Sequence, residues 1–138
     1  MKDVTYLLPC RIETEDRLRN VITSITYIMK CFPEAKVIVK EVDTQSHFSE
    51  SALPRIKNYV GDTSQLKHIF EQSSEKFFHK TRILNDLCIA ADTPILYNHD
   101  VDVVVLKNSH QLAYRAITKE GSDAVSYTHL TLPTNREV

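Results

Sequence analysis

Glycine is scarce in this chain, which has only Gly61 and Gly121 among its 138 residues. Phosphate-binding loops of the P-loop or dinucleotide-binding type need several closely spaced glycines, so both loop types are excluded. Cysteine is also rare. Cys10, Cys31 and Cys88 are odd in number and far apart, and they lack the spacing of a metal or redox site. We therefore expect reduced thiols and a cytoplasmic location.

The chain also lacks an excess of charge and any long apolar run. Its formal net charge is -1, so no overall field attracts nucleic acid or an anionic membrane surface. An anionic ligand must instead meet a local group of lysines and arginines. No apolar run is long enough to span a bilayer, and the first residues lead into a predicted strand rather than a signal peptide. We expect neither a nucleic-acid partner nor a membrane segment.

The composition is that of an ordinary globular domain, with 42% hydrophobic and 25% charged residues. Apolar periodicity divides residues 4–120 into alternating strands and helices. Thr14 is placed to cap the first helix, and Pro33 ends it. The predicted elements, in order, are a strand at 4–8 stopped by Pro9, a helix between 14 and 33, a strand at 36–42, a short helix at 51–59, a strand at 66–70, a helix at 76–91, a strand at 94–97 and a helix at 109–120. This order predicts an open three-layer α/β sandwich with a largely parallel sheet.

The two later helices are expected to bury one face each. Ser109 is placed to cap the last one. The residues expected to face inward are Ile83, Leu84, Leu87, Ile89 and Ala90 in the first of these helices and Leu112, Ala113 and Ile117 in the second.

Residues 125–138 do not continue the pattern. They lack periodicity and resemble a translated sequencing adapter, so we expect a domain at 1–124 followed by a non-native tail at 125–138. The natural protein is then expected to continue beyond Ala124, which makes this chain a C-terminally truncated piece. A genuine C-terminal strand is the alternative.

The stretch around the strand at 94–97 organises the chain. An apolar run leads into Asp100 and Asp102, and a second apolar run follows. If the strand continues, its period of two directs both carboxylates to one side. Hard divalent cations prefer such oxygen ligands, and open α/β sheets bind ligands at the carboxyl ends of their strands. The pattern favours a metal site, with surface aspartates at a strand end as the alternative.

A local group of positive side chains lies at His79, Lys80 and Arg82. Arg82 and Asn85 are three residues apart on a predicted helix and so share a face. Cations near a helix start oppose the helix dipole unless an anion binds there too, and a diphosphate would be such an anion. A solvated basic face is the alternative. A hydrolase site built on His99 and Asp100 is disfavoured, because the other histidines of residues 1–124 lack suitable spacing.

These segments together resemble a known enzyme family. Phe-His-Lys-Thr-Arg-Ile-Leu-Asn at 78–85, followed by an apolar strand and Asp-Val-Asp, is similar to the A-type glycosyltransferases. The nearest likeness is to family-two-type enzymes and the β-1,4-galactosyltransferases. Pro9-Cys10-Arg11 also resembles the Pro-x-Arg that follows their first strand.

The resemblance implies a site for a nucleotide-sugar donor and one Mn²⁺ or Mg²⁺ ion. Asp100 would contact ribose or metal, and Asp102 would ligate the metal directly. The family's second arginine is replaced here by Glu13, which weakens the expected diphosphate binding by that loop. The residues implied at the donor are Pro9, Arg11, Glu41, Phe78, Lys80, Arg82, Asn85 and Asp100.

The expected function is therefore metal-dependent transfer of a sugar from a nucleoside diphosphate, with UDP the expected nucleotide. A glycan, a lipid or a protein remains open as acceptor. The acceptor base is expected downstream of the chain end, so this chain is expected to be inactive alone. A sugar nucleotidyltransferase and a non-catalytic α/β interaction module are the rivals. A sugar nucleotidyltransferase normally has a glycine-rich basic loop after its first strand, and residues 9–14 of this chain contain no glycine.

Overall fold

Four parallel strands form the central sheet, in the order β3-β2-β1-β4. The structure is a computed structural model that describes residues 1–125 and the backbone of Leu130–Thr131. Its elements are β1 (Val4–Cys10), α1 (Glu15–Cys31), β2 (Lys36–Asp43), a π-helical turn (Phe48–Ala52) that continues into α2 (Leu53–Val60), β3 (Leu66–Gln72), α3 (Lys80–Ala90), β4 (Ile95–Asn98), β5 (Val103–Val104), α4 (Lys107–Thr118) and β6 (Leu130–Thr131). The predicted α/β class with a parallel sheet is confirmed.

The start and the end of α1 follow from the sequence. The Thr14 hydroxyl accepts a hydrogen bond from the backbone N–H of Arg17 at 3.1 Å, which satisfies one of the unpaired donors of the first turn. Glu15 and Asp16 in that turn complement the helix dipole. Phe32 closes the helix, and Pro33 follows it.

The sheet separates two apolar layers, because successive side chains of a strand point to opposite faces. Tyr6 and Leu8 of β1 pack with α1 and α2 on one face, whereas Leu7 packs on the other face against Ile83 and Leu87 of α3. Parallel strands buried on both faces favour nearly continuous apolar sequences, and β1 has one. Pro9 does not stop β1, which continues to Cys10, and Pro9 is itself buried.

The two later helices differ in detail from prediction. α3 begins at Lys80 rather than at residue 76, and its Ile89 is 83% exposed. α4 begins at Lys107 with Leu106 at the cap position, and Leu112 is 65% exposed.

The reason for the outward Leu112 lies in the face that α4 buries. His110 and Ala113 are the buried residues of this helix. Leu112 is two positions after His110 and so lies on the opposite side of the helix. The expectation that Leu112 faces inward is therefore wrong.

The chain turns where an extended strand was expected. β4 ends at Asn98, and the His99 N–H still donates to the Leu7 carbonyl at 3.0 Å. Val101 and Asp102 then form a turn that leads into β5. The expectation that period two would direct Asp100 and Asp102 to the same side is therefore wrong.

β5 forms an antiparallel pair with β6, in which Val103 is opposite Thr131 and Val104 is opposite Leu130. Of the predicted tail at 125–138, the structure describes Val125 and the backbone of these two β6 residues, and the remainder lies outside the described residues. The division at residue 124 stays a prediction.

No helix within residues 1–125 combines the length and the apolar character needed to cross a membrane. All three cysteines are free: Cys10 is buried, Cys31 is partly buried and Cys88 is exposed on α3. Burial raises the pKa of the Cys10 thiol, so it stays protonated.

Candidate functional site

Most of the predicted site residues lie where the four parallel strands end on one edge of the sheet. Arg11 follows β1, Glu41 lies near the end of β2, and Asp100 follows β4. The loop from β3 to α3 brings Phe78 and Lys80 to the same edge. Ligands of open α/β sheets bind at this edge because the loops there diverge and leave a crevice.

Arg11 is a buried cation at the centre of the edge, and it is 8% exposed. Its Nε donates to the Val42 carbonyl at 2.7 Å, and its Nη1 donates to the Lys76 carbonyl at 3.1 Å. The guanidinium carbon lies 5.3 Å from the centroid of the Phe78 ring. Nη2 is buried and has no hydrogen-bond partner among the residues that the structure describes. Arg11 thus joins three segments of the edge from within the fold.

Glu41 is fully buried, and its carboxylate serves the fold. One oxygen accepts the backbone N–H groups of His47 and Phe48 at 2.9 and 3.1 Å. The other oxygen accepts the Ser46 hydroxyl at 2.7 Å and lies 3.1 Å from Nε2 of His68. Burial by itself raises the pKa of Glu41, but these hydrogen bonds outweigh burial and hold the pKa below its ordinary value. The carboxylate fixes the loop after β2, and the structure does not place it at the surface of the edge.

Lys80 and Asp100 form an ion pair at the rim of the edge. The Lys80 Nζ lies 3.5 Å from Oδ2 of Asp100, and the two side chains are 50% and 40% exposed. Lys80 is the first residue of α3, where the backbone amides also favour anions. The structure therefore brings together one cation, one helix start and one accessible carboxylate.

Asp102 has a different environment, although only one residue separates it from Asp100. Asp102 is buried, with 2% of its surface exposed. Oδ2 lies 3.0 Å from Nη2 of Arg17, and Oδ1 accepts the side-chain amide of Asn20 at 3.2 Å. Both carboxylate oxygens thus contact α1.

Of the two predicted metal ligands, Asp100 and Asp102, the first has the environment that a divalent cation needs. Asp100 has carboxylate oxygens at the rim, as a hard cation requires. Asp102 is buried, and each of its oxygens already contacts a donor of α1, so its environment is less suited to a metal ion than that of Asp100. Within residues 1–125, no three His, Cys, Asp or Glu side chains are grouped as metal ligands. The donor set that fits is Asp100 together with oxygens of a substrate and of water.

Arg82 points away from Asp100, towards the outer strand. Its two terminal nitrogens lie 3.2 and 2.9 Å from the Glu71 carboxylate oxygens, and one of them lies 3.5 Å from Asp86. The buried Lys40 approaches the same two carboxylates, at 3.2 Å from Glu71 and 2.5 Å from Asp86. Hydrogen bonds from Arg82 and then from Lys40 lower the pKa of Glu71. Asn85 lies exposed on α3. The structure therefore places Lys80, and not Arg82, beside Asp100.

Two clefts meet at Lys80, which lines both. A cleft of about 460 Å³ lies between β4 and α4, and its walls include Asn98, Asp100 and Tyr114. A second cleft of about 710 Å³ lies at the ends of β2 and β3, and its walls include Phe77. The ion pair at the rim thus lies where a ligand could extend from one cleft to the other.

The prediction missed three residues of α1 that contact the turn after β4: Arg17, Asn20 and Ser24. Asn20 and Ser24 are buried on the apolar face of the helix. Polar residues at positions that periodicity assigns to a core are a signal for buried hydrogen bonds, because unpaired buried polar groups are costly. The sequence shows this signal, but it does not show which groups are the hydrogen-bond partners.

Neither a protein family model nor a curated protein sequence matches this chain. Among solved structures, the mannosyltransferase of Pyrobaculum calidifontis in complex with GDP-mannose and Mn²⁺ is similar, with a TM-score of 0.59 and 17% sequence identity. The match covers 85% of this chain and 32% of that protein, so the chain spans about a third of its length. At this identity the likeness shows the fold alone, an α/β fold with a parallel sheet.

Proposed function

We propose that this chain is the donor-binding part of a metal-dependent glycosyltransferase, which takes its sugar from a nucleoside diphosphate. The fold likeness to a mannosyltransferase solved with GDP-mannose and Mn²⁺ supports the class. The observation that carries the proposal is the position of Lys80, which lines both clefts and lies 3.5 Å from Asp100.

A donor of this class has three parts in a row, and the edge offers a place for each. The nucleoside would occupy the cleft at the ends of β2 and β3, where the Phe77 ring is 72% exposed and available for stacking. The diphosphate would lie at Lys80. The sugar would enter the cleft between β4 and α4. Arg11 would support the site from below, because it fixes the end of β2 and the loop before α3.

The electrostatics of the α3 start favour an anion at the middle position. A lysine at the first residue of a helix is unfavourable beside the positive end of the helix dipole. A diphosphate would reverse this, because it can accept hydrogen bonds from the helix amides and pair with the ammonium group. Asp100 at the rim and Glu71 and Glu75 in the adjoining cleft are negative, so they would repel a diphosphate unless a cation in addition to Lys80 were bound.

A divalent cation would supply that added charge. Mg²⁺-like ions commonly bind through one or two carboxylates together with substrate phosphates and waters, and Asp100 would be the protein ligand. When bound, the metal ion would stabilise the negative charge that grows on the leaving diphosphate. Lys80 would stabilise the same charge from the protein side.

Calorimetric titration with UDP and with GDP, in MnCl₂ and in EDTA, tests the proposal. We expect binding that depends on Mn²⁺, and we expect Lys80→Met to weaken it by about tenfold or more, the loss of a charge-assisted contact. Lys57→Met is the matched control, because Lys57 is an exposed lysine on α2. It should bind like the unmodified chain. Absence of binding by either nucleotide would instead support a non-catalytic α/β interaction module.

A further inference from the structure

One face of α1 binds the turn between β4 and β5. Arg17 and Asn20 contact the Asp102 carboxylate at 3.0 and 3.2 Å. One helical turn further on, the Ser24 hydroxyl donates to the Val101 carbonyl at 3.1 Å. The spacing of 17, 20 and 24 puts all three side chains on the same side of a helix. Helix and turn are therefore joined by three separate polar contacts.

The Arg17–Asp102 contact is a buried ion pair. The two side chains are 14% and 3% exposed. Removing one partner from such a pair leaves an uncompensated charge in a low-dielectric environment, which is strongly destabilising. A metal ion that took the Asp102 carboxylate would impose the same penalty on Arg17. Ligation of a metal by Asp102 is thus opposed by the contacts that hold it.

The turn is also connected directly to Asp100. The backbone N–H of Asp102 donates to Oδ1 of Asp100 at 2.9 Å. Oδ2 of Asp100 is the oxygen that lies 3.5 Å from Lys80. The Asp102 backbone therefore contributes directly to the orientation of the Asp100 carboxylate at the rim.

We infer that Asp102 is a positioning residue, which Arg17 and Asn20 lock in place so that Asp100 alone of the pair presents its carboxylate to a metal–diphosphate. The role of Asp100 in this inference rests on the proposed function. The lock itself does not, because it consists of contacts within the chain.

Three variants test the inference: Arg17→Met, Asp102→Leu and the double variant. Each single variant leaves a buried charge unpaired, so we expect the midpoint of thermal unfolding to fall by roughly 10 °C. The double variant removes both charges and should recover most of that loss. Arg19→Met is the control, because Arg19 is an exposed residue of the same helix that pairs only locally with Asp16. Its midpoint should change little.

The second measurement is the affinity for UDP in MnCl₂, by calorimetry below the transition temperature. Loss of a residue that orients a ligand commonly lowers metal affinity by about 10- to 100-fold. We expect Arg17→Met and Asp102→Leu to weaken Mn²⁺-dependent binding to a similar extent, and the double variant to be no worse than either. A purely structural role predicts that affinity recovers with the midpoint in the double variant, which would overturn the inference.

The opposite model, in which Asp102 ligates the metal, predicts a different pattern. Arg17→Met would free the carboxylate, so Mn²⁺ would bind more tightly, and Asp102→Leu would abolish the Mn²⁺ response. Either result overturns the inference. If the single variants do not fold, the double variant decides between the models. The positioning model predicts a weakened Mn²⁺ response through Asp100, a purely structural role predicts a full response, and direct ligation by Asp102 predicts none.

Failure of the proposed function would give a distinguishable result. The unmodified chain would then bind neither UDP nor GDP in the presence of Mn²⁺. The unfolding midpoints of the three variants would still show whether Arg17 and Asp102 lock the turn. Equal midpoints in all variants would show that they do not.

Discussion

The Tyr6 hydroxyl lies 3.0 Å from Nδ1 of His110, and this contact joins the centre of the sheet to α4. His110 is fully buried. Its ring lies 5.0 Å from the Tyr97 ring and stacks on His99 at 5.9 Å between centroids. Burial lowers the pKa of His110 to about 4, although a hydrogen bond with the Val105 backbone opposes part of that shift. The imidazole is therefore neutral in the folded chain near pH 7.

This burial makes stability depend on pH. An unfolded histidine takes up its proton near pH 6.5, whereas folded His110 does so only near pH 4. Acidification across that interval therefore favours unfolding, by up to about 3 kcal/mol from this group. We expect His110→Gln, which keeps a polar partner for Tyr6, to have a shallower fall in unfolding free energy between pH 6.5 and 4. Urea titrations at several pH values measure it, and equal slopes would contradict the assignment.

Glu41 also contributes stability that acid removes, because its hydrogen bonds outweigh its burial and hold its pKa below the ordinary value. Its contribution to stability is present above the ordinary carboxyl pKa and is lost as the pH falls through the folded value. We expect Glu41→Gln to lower the unfolding free energy at pH 7 by roughly 2 kcal/mol, because the amide cannot accept all four hydrogen bonds. The difference from the unmodified chain should shrink at low pH. Glu50→Gln, at an exposed position in the π-helical turn, should be near neutral.

Two lysines on β2 offer a matched comparison of ion pairs. Lys40 is 9% exposed and contacts Glu71 and Asp86, whereas Lys36 is 49% exposed and contacts the exposed Asp92. We expect Lys40→Met to lower the unfolding free energy by about 1–3 kcal/mol, because two partly buried carboxylates lose a cation. Lys36→Met should change it by less than about 1 kcal/mol. Chemical denaturation of both variants checks the difference, and a larger effect at Lys36 would refute it.

Asp100 should matter for ligand binding but little for stability. Asp100→Asn keeps the size of the side chain and an oxygen that can accept the Asp102 N–H. We expect the Mn²⁺-dependent part of UDP affinity to fall by about tenfold or more, since a hard cation prefers a charged oxygen ligand. The thermal midpoint should stay within about 2 °C of the unmodified chain. Asp92→Asn, at an exposed position in the loop between α3 and β4, is the control.

The order of the elements could be predicted because its signals are local. Thr14 caps α1 through its own neighbours, and the β-branched residues of β2 suit a strand buried on both faces. The resemblance at 78–85 implied Lys80 and Asp100 at one site, and the structure places Nζ of Lys80 3.5 Å from the Asp100 carboxylate.

The side-chain assignments that failed depend on partners far away in the sequence. Asp102 is oriented by Arg17 and Asn20, more than 80 residues earlier. The inward face of α4 is set by the contact of His110 with Tyr6, 104 residues earlier. A period within one segment contains no information about such contacts, so alternation at 100–102 gave the wrong side for Asp102.

The unequal accessibility of the three thiols has a practical consequence. A maleimide fluorophore should react first at Cys88, because Cys10 is buried and its thiol stays protonated. Cys88 lies eight residues after Lys80 on α3, about 12 Å along the helix axis. The chain thus carries a natural attachment point from which emission would report occupancy of the proposed nucleotide site, without an engineered cysteine.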